Sequence, residues 1–109
     1  MSFAGILVAG PELTFMSTGM PVATFTVAAT DRNYHTTTAQ LVADTEVTFL
    51  PCTISHQTAE NVATSLTKSM RVMVTGVLRQ RAWQSLQGDA RYAYEIAVSE
   101  IGLSLAGQL

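Results

Sequence analysis

Arg79, Arg81 and Trp83 recur at every second position near the end of the stretch Arg71 to Trp83. Read as a β-strand, whose side chains alternate between two faces, this stretch has a sharp division of labour. One face carries Val72, Val74, Gly76 and Leu78, an apolar set suited to a core. The other carries Arg71, Met73, Thr75 and Val77, then the two guanidiniums and the indole. Cations meet phosphates, and a flat apolar ring stacks on an unpaired base, so the row has the chemistry that single-stranded nucleic acid asks for. A solvated strand edge with one half-buried tryptophan would show the same row.

Other chemistries find little support. His35 and His56 sit in or beside loops, and no Cys-x-x-Cys, His-x-x-x-His or Gly-rich phosphate loop occurs. Cys52 lies between Leu50 and Ile54 on an apolar face, which makes it a core residue and a poor partner for the histidines in a zinc set. The acids are scattered, with no close pair for shared proton transfer. The expectation is a protein that is not an enzyme, with no cofactor and no metal site.

A chain of 109 residues is expected to form one domain, 1–109, with 102–109 as a short C-terminal extension, and it can bury a core without disulfides or metal. No run of eighteen apolar residues is present, so no membrane-spanning helix is expected. Met1 to Gly10 is apolar but lacks a basic n-region, which argues against a secretory signal. A single cysteine excludes an internal disulfide and fits a reducing cytosol. The formal charge of −2 runs against the basic footprint of most nucleic-acid binders. Its distribution softens that objection. Lys68, Arg71, Arg79, Arg81 and Arg91 fall between positions 68 and 91, where Asp89 is the only acid, leaving Arg32 alone in the first half.

The elements that must position these residues follow from pattern. Phe3 to Ala9 reads as a strand closed by Gly10-Pro11, Glu12 to Phe15 as a brief extended piece, and Ser17 to Pro21 as a turn. Val22 to Thr30 alternates, with Ala23, Phe25, Val27 and Ala29 on one face and mostly threonine on the other. Asp31 to Asp44 is polar and aperiodic, a long hairpin loop with Arg32 and Tyr34 near its start. Glu46 to Ile54 is a strand with Leu50, Cys52 and Ile54 inward and Val47 and Phe49 outward, where Pro51 suits an edge or bulge. In Gln57 to Thr67, Ala59, Val62, Ala63 and Leu66 form one apolar helical stripe, with Thr58 or Ser55 able to cap it. After the Arg71–Trp83 strand, Gln84 to Ala90 forms a hairpin tip. Arg91 to Ile101 returns with Tyr92, Tyr94, Ile96 and Val98 on one face. Five strands with one short helix between strands 3 and 4 is the order of an all-β OB-fold, a Greek-key β-barrel.

The chain then resembles, over nearly its whole length, the bacterial single-stranded DNA-binding protein family. The likeness is carried by Pro11-Glu12-Leu13-Thr14-Phe15, Ser17-Thr18-Gly19-Met20-Pro21-Val22-Ala23, Ala59-Glu60-Asn61-Val62-Ala63, Leu78-Arg79-Gln80-Arg81 with Trp83, Arg91-Tyr92 with Glu95, and Glu100-Ile101-Gly102 with Ser104-Leu105. It implies base-stacking aromatics at Tyr34, Phe49 and Trp83. A subunit contact remains the other reading of Phe49, and an incidental loop ring that of Tyr34. Arg32, Lys68, Arg79, Arg81 and Arg91 are the candidate phosphate contacts.

The resemblance further implies a homotetramer in the cytoplasm, on the nucleoid, that protects single-stranded DNA in replication, recombination and repair. Replication and repair proteins would be its partners. The sequence departs from the family at Ser55, where an aromatic is usual, and at Pro51, Gln57 and Thr67, where basic residues are common. The family's Gly- and Pro-rich linker and acidic tip have no counterpart before Leu109, so either a domain boundary or a tail-less relative is expected, the second preferred. These departures keep a second hypothesis open: an accessory or adaptor of primosomal type, acting through protein contacts with weak DNA binding. A third is an OB-fold regulatory protein that has lost most DNA affinity.

Overall fold

The computed structural model describes residues 1–31 and 46–106. Its strands are β1 (Ser2–Leu7), β2 (Glu12–Phe15), β3 (Pro21–Asp31), β4 (Glu46–Ser55), β5 (Arg71–Gln84) and β6 (Ala90–Leu103), and the one helix among the described residues is α1 (Gln57–Ser65). Glu12–Phe15, expected as a brief extended piece, is a strand hydrogen-bonded to β3. The helix therefore stands between β4 and β5 rather than between strands 3 and 4.

The sheet order is β1-β5-β6-β4-β3-β2, and a further β1–β3 pairing turns five of these strands into a closed barrel with β2 beside β3. Closure rests on short contacts. β1 meets β3 at Ile6↔Ala28 and Leu7↔Val27, and β4 meets β6 in parallel at Cys52↔Ile96 and Thr53↔Ala97. The long ladders are antiparallel: β3 with β4 from Val22↔Ser55 to Asp31↔Glu46, and β5 with β6 from Val72↔Leu103 to Gln84↔Ala90. Pro51 lies where β4 has not yet met β6, so its missing N–H takes no ladder bond away from that side.

Alternation explains the core. Ala23, Phe25 and Val27 of β3, Cys52 and Ile54 of β4, Val72 and Val74 of β5, and Ile96 of β6 are buried together with Leu7. Burying a side chain of this size contributes about 1.5–3 kcal/mol relative to leaving it in water. Gly76 continues the inward row of β5, and a side chain there would run into the Ala97 carbonyl and the Ile96 side chain. Helix α1 lays Ala59 and Val62 onto the same core, and its C-cap Leu66 joins them. Its start differs from expectation. Neither Ser55 nor Thr58 caps it; the N-cap is His56 at φ 70°, with no side-chain cap bond. The His56 N–H instead donates to the Pro21 carbonyl at 3.0 Å, and its carbonyl accepts from Ala59 N–H at 3.0 Å.

Beyond a register shift at Thr75/Gly76, β5 and β6 outrun the barrel. β1 pairs β5 only over residues 71–75, and β4 pairs β6 only at Ile96 and Ala97. Residues 79–84 and 90–95 thus form a two-stranded arm whose ladder partners are each other. Leu78, expected in the core, is 52% exposed because β1 stops pairing with β5 at Thr75 and leaves it uncovered on that side. The tip is a tight turn in which Gly88, at φ 86°, donates to the Ser85 carbonyl and Ser85 N–H donates to the Asp89 carbonyl.

Candidate nucleic-acid interface

Residues directly opposite in an antiparallel ladder share a face. The pairs Arg79↔Glu95, Arg81↔Ala93 and Trp83↔Arg91 therefore put three guanidiniums and the indole on one side of the arm. That side is continuous with the outer wall of the barrel. Pro51 and Thr53 of β4 and Thr24 and Thr26 of β3 line two hollows there, of about 370 and 540 Å³, which share Thr24, Thr53, Arg81 and Glu95. Arg79 lines the larger hollow. Phe49 stands on the same outer face of β4, two residues from Pro51 and opposite Ala28, and its ring is well exposed.

Electrostatics within the site are uneven. The Arg79 Nε donates to Glu95 Oε1 at 3.2 Å, and while the Arg79 side chain stays mostly in solvent, Glu95 is buried. A carboxylate at the floor of the hollow thus holds one guanidinium across it and offsets its charge. Arg81 is placed differently. Its Cζ lies 5.1 Å from the centroid of Trp83, a cation–π stack that presents charge and ring as one unit. The indole is 44% exposed.

Of the residues singled out in the sequence, the structure brings Arg79, Arg81, Trp83 and Arg91 to one face and sets Phe49 on the wall that continues it. Lys68 is exposed in the turn ahead of β5, where Ser69 N–H donates to the Leu7 carbonyl, and it lines neither hollow. Arg32 and Tyr34 lie outside the described residues, as do His35 and the long loop. Among the described residues, no three His, Cys, Asp or Glu side chains gather to hold a metal ion. Among the described residues, no helix is long and apolar enough to cross a membrane.

Sequence reasoning missed three residues here. Glu95 was readable in principle, since counting back from the Gly88-Asp89 turn sets it opposite Arg79. Tyr92 and Tyr94 were placed beside Ile96 on an apolar face, yet they are 63% and 62% exposed because that face leaves the barrel with the arm.

Comparison with known proteins shows the family. A protein of Mycobacterium leprae named single-stranded DNA-binding protein is 46% identical over 96% of this chain and 62% of its own length. One of the same name from Corynebacterium glutamicum is 43% identical over 96% of this chain and 46% of its own. Single-stranded DNA-binding protein 2 of Streptomyces coelicolor is 44% identical over 96% of this chain and 52% of its own. The chain thus spans less than two thirds of the length of these relatives. The profile of the single-strand binding protein family matches residues 1–104. On this match and these identities, the chain belongs to the single-strand binding protein family.

Proposed function

We propose that this domain binds single-stranded DNA without sequence preference and shields it during replication, recombination or repair. Unpaired bases stack on Trp83 and Phe49, and Arg81, Arg91 and Arg79 face the phosphates, with Lys68 as an outlying contact. Tyr34 and Arg32 complete the set carried over from the family resemblance. The observation that carries this reading is the Arg81–Trp83 stack, whose arginine lines both hollows together with Thr53. Stacking contributes about 1–3 kcal/mol per base and is nearly indifferent to base identity, because every base has a π-face. The role is one of binding, with no step of catalysis. It places the protein in the cytoplasm with the nucleoid, where replication and repair proteins would meet it.

Trp83 is the only tryptophan, so its fluorescence reports the site directly. Titration with oligo-dT is expected to give saturable quenching, lost in Trp83→Ala. The salt dependence should have a slope of about −3 per subunit, at roughly 0.7 per phosphate neutralised. Absence of quenching at low salt overturns the reading.

The proposal includes self-association into a tetramer. It is supported by an exposed apolar strip on the outer side of β1 and β5, where Ile6, Met73 and Val77 stand with Ala4 opposite Met73. Sedimentation velocity at micromolar protein should find the tetramer. A monomer throughout refutes it.

A further inference from the structure

The arm has two sides, and the reading above uses one. On the other, Gln80↔Tyr94 and Ala82↔Tyr92 are the cross-strand pairs. Both tyrosine rings are more than 60% exposed, a larger fraction than Trp83. Neither ring has a bulky neighbour across the ladder, since Ala82 and the Gln80 amide stand there. Two positions along a strand span roughly 7 Å, about twice the 3.4 Å rise of a stacked strand. Bases meeting both rings must therefore be unstacked, a condition that single strands satisfy and duplexes do not.

We propose that Tyr92 and Tyr94 form a second base-stacking surface, taking the same single strand after it passes from the Arg81–Trp83 side around the edge of the arm. This rests on the DNA-binding reading above. Continuity between the two sides supports it. Arg91 stands opposite Trp83 and directly precedes Tyr92 in the chain, so a cation sits where the strand must turn. The arm is two strands wide, about 10 Å at 4.7–4.9 Å per strand, a distance a flexible polynucleotide can round. A protein partner is the poorer fit. Among the described residues of the β5–β6 ladder, Leu78 is the one other large exposed apolar side chain on this side, a small patch beside the ~800 Å² that each partner of a stable complex contributes.

The test uses Tyr92→Thr/Tyr94→Thr, which removes both rings and keeps residues that favour strands. Oligo-dT of increasing length is titrated against Trp83 fluorescence. Wild type and variant should bind the shortest quenching oligomer equally, which also shows that the variant is folded. With longer oligomers wild type should gain affinity, and the variant should fall behind by about 10- to 100-fold. Tyr92→Phe/Tyr94→Phe should behave as wild type, because stacking needs the ring and not the hydroxyl.

Equal affinity of wild type and the threonine variant for long oligomers overturns the second surface and leaves the first reading standing. The same equality with an altered sedimentation coefficient assigns the rings to contacts between copies, which also overturns it. Failure of wild type to bind any length overturns both.

Discussion

Cys52 shows how completely the wall behind the hollows is sealed. It lines the smaller hollow with its backbone neighbours, yet its side chain is 1% exposed and its thiol donates to the Leu50 carbonyl at 3.4 Å. Burial disfavours the thiolate and pushes the thiol up from 9.0 to about 12. The folded value exceeds the unfolded one, so the contribution to stability is complete below pH 9 and is lost as pH rises from about 9 to about 12. Alkylation at pH 8 should accordingly be very slow in the native protein and fast in denaturant. The stability difference between wild type and Cys52→Ala should shrink across pH 9–12; rapid native alkylation refutes the sealed wall. Arg79 and Arg81 make the complementary point on the wet side. The same residue type, two positions apart on one face, is tied to a buried carboxylate in one case and laid over a ring in the other.

At the scale of elements, the strand pattern was legible because period-two alternation survives wherever a strand has a core on one side only. β3 and β4 read correctly, including the outward placement of Phe49 and the inward placement of Cys52. Alternation is silent about where the opposing layer stops. Leu78, Tyr92 and Tyr94 continue apolar rows past the barrel rim, so the pattern that buries Val74 and Ile96 also misplaced them. The cap of α1 failed for another reason: serine and threonine were available, but the Pro21 carbonyl holds His56 first. Gly76 marks the root of the arm, where any Cβ meets the β6 backbone. Gly76→Ala should cost about 1–3 kcal/mol, read as a lower urea midpoint. An unchanged midpoint would mean that β5 and β6 can separate there freely.

Across the whole molecule, a net charge of −2 and a DNA-binding reading are compatible because the charge is sorted. The strands of the arm carry Arg79, Arg81 and Arg91 against Glu95, whereas Glu46, Glu60 and Glu100 lie elsewhere on β4, α1 and β6, and Glu12 of β2 shares the smaller hollow with Arg81. Composition could not show that sorting; only the register of β5 on β6 does. The barrel is also unevenly fastened. Ten pairs join β3 to β4, while the ladder pairs that shut the circle are only Ile6–Leu7 with Val27–Ala28, continued by one bond from Val8, and Cys52–Thr53 with Ile96–Ala97. Either clasp of two residues can slip while both long ladders stay zipped, so the molecule is expected to open like a book whose covers are β1-β5-β6 and β4-β3-β2 and whose spine is the clasp that holds. Amide hydrogen exchange should reveal this order, with Val8 N–H, bonded to the Thr26 carbonyl, trading its proton well before the amides midway along β3. Equal protection at both places would mean that the book has no separate cover to lift. If the cover does lift, the wall that carries Phe49 can shift against the arm that carries Trp83 while the chain keeps its fold.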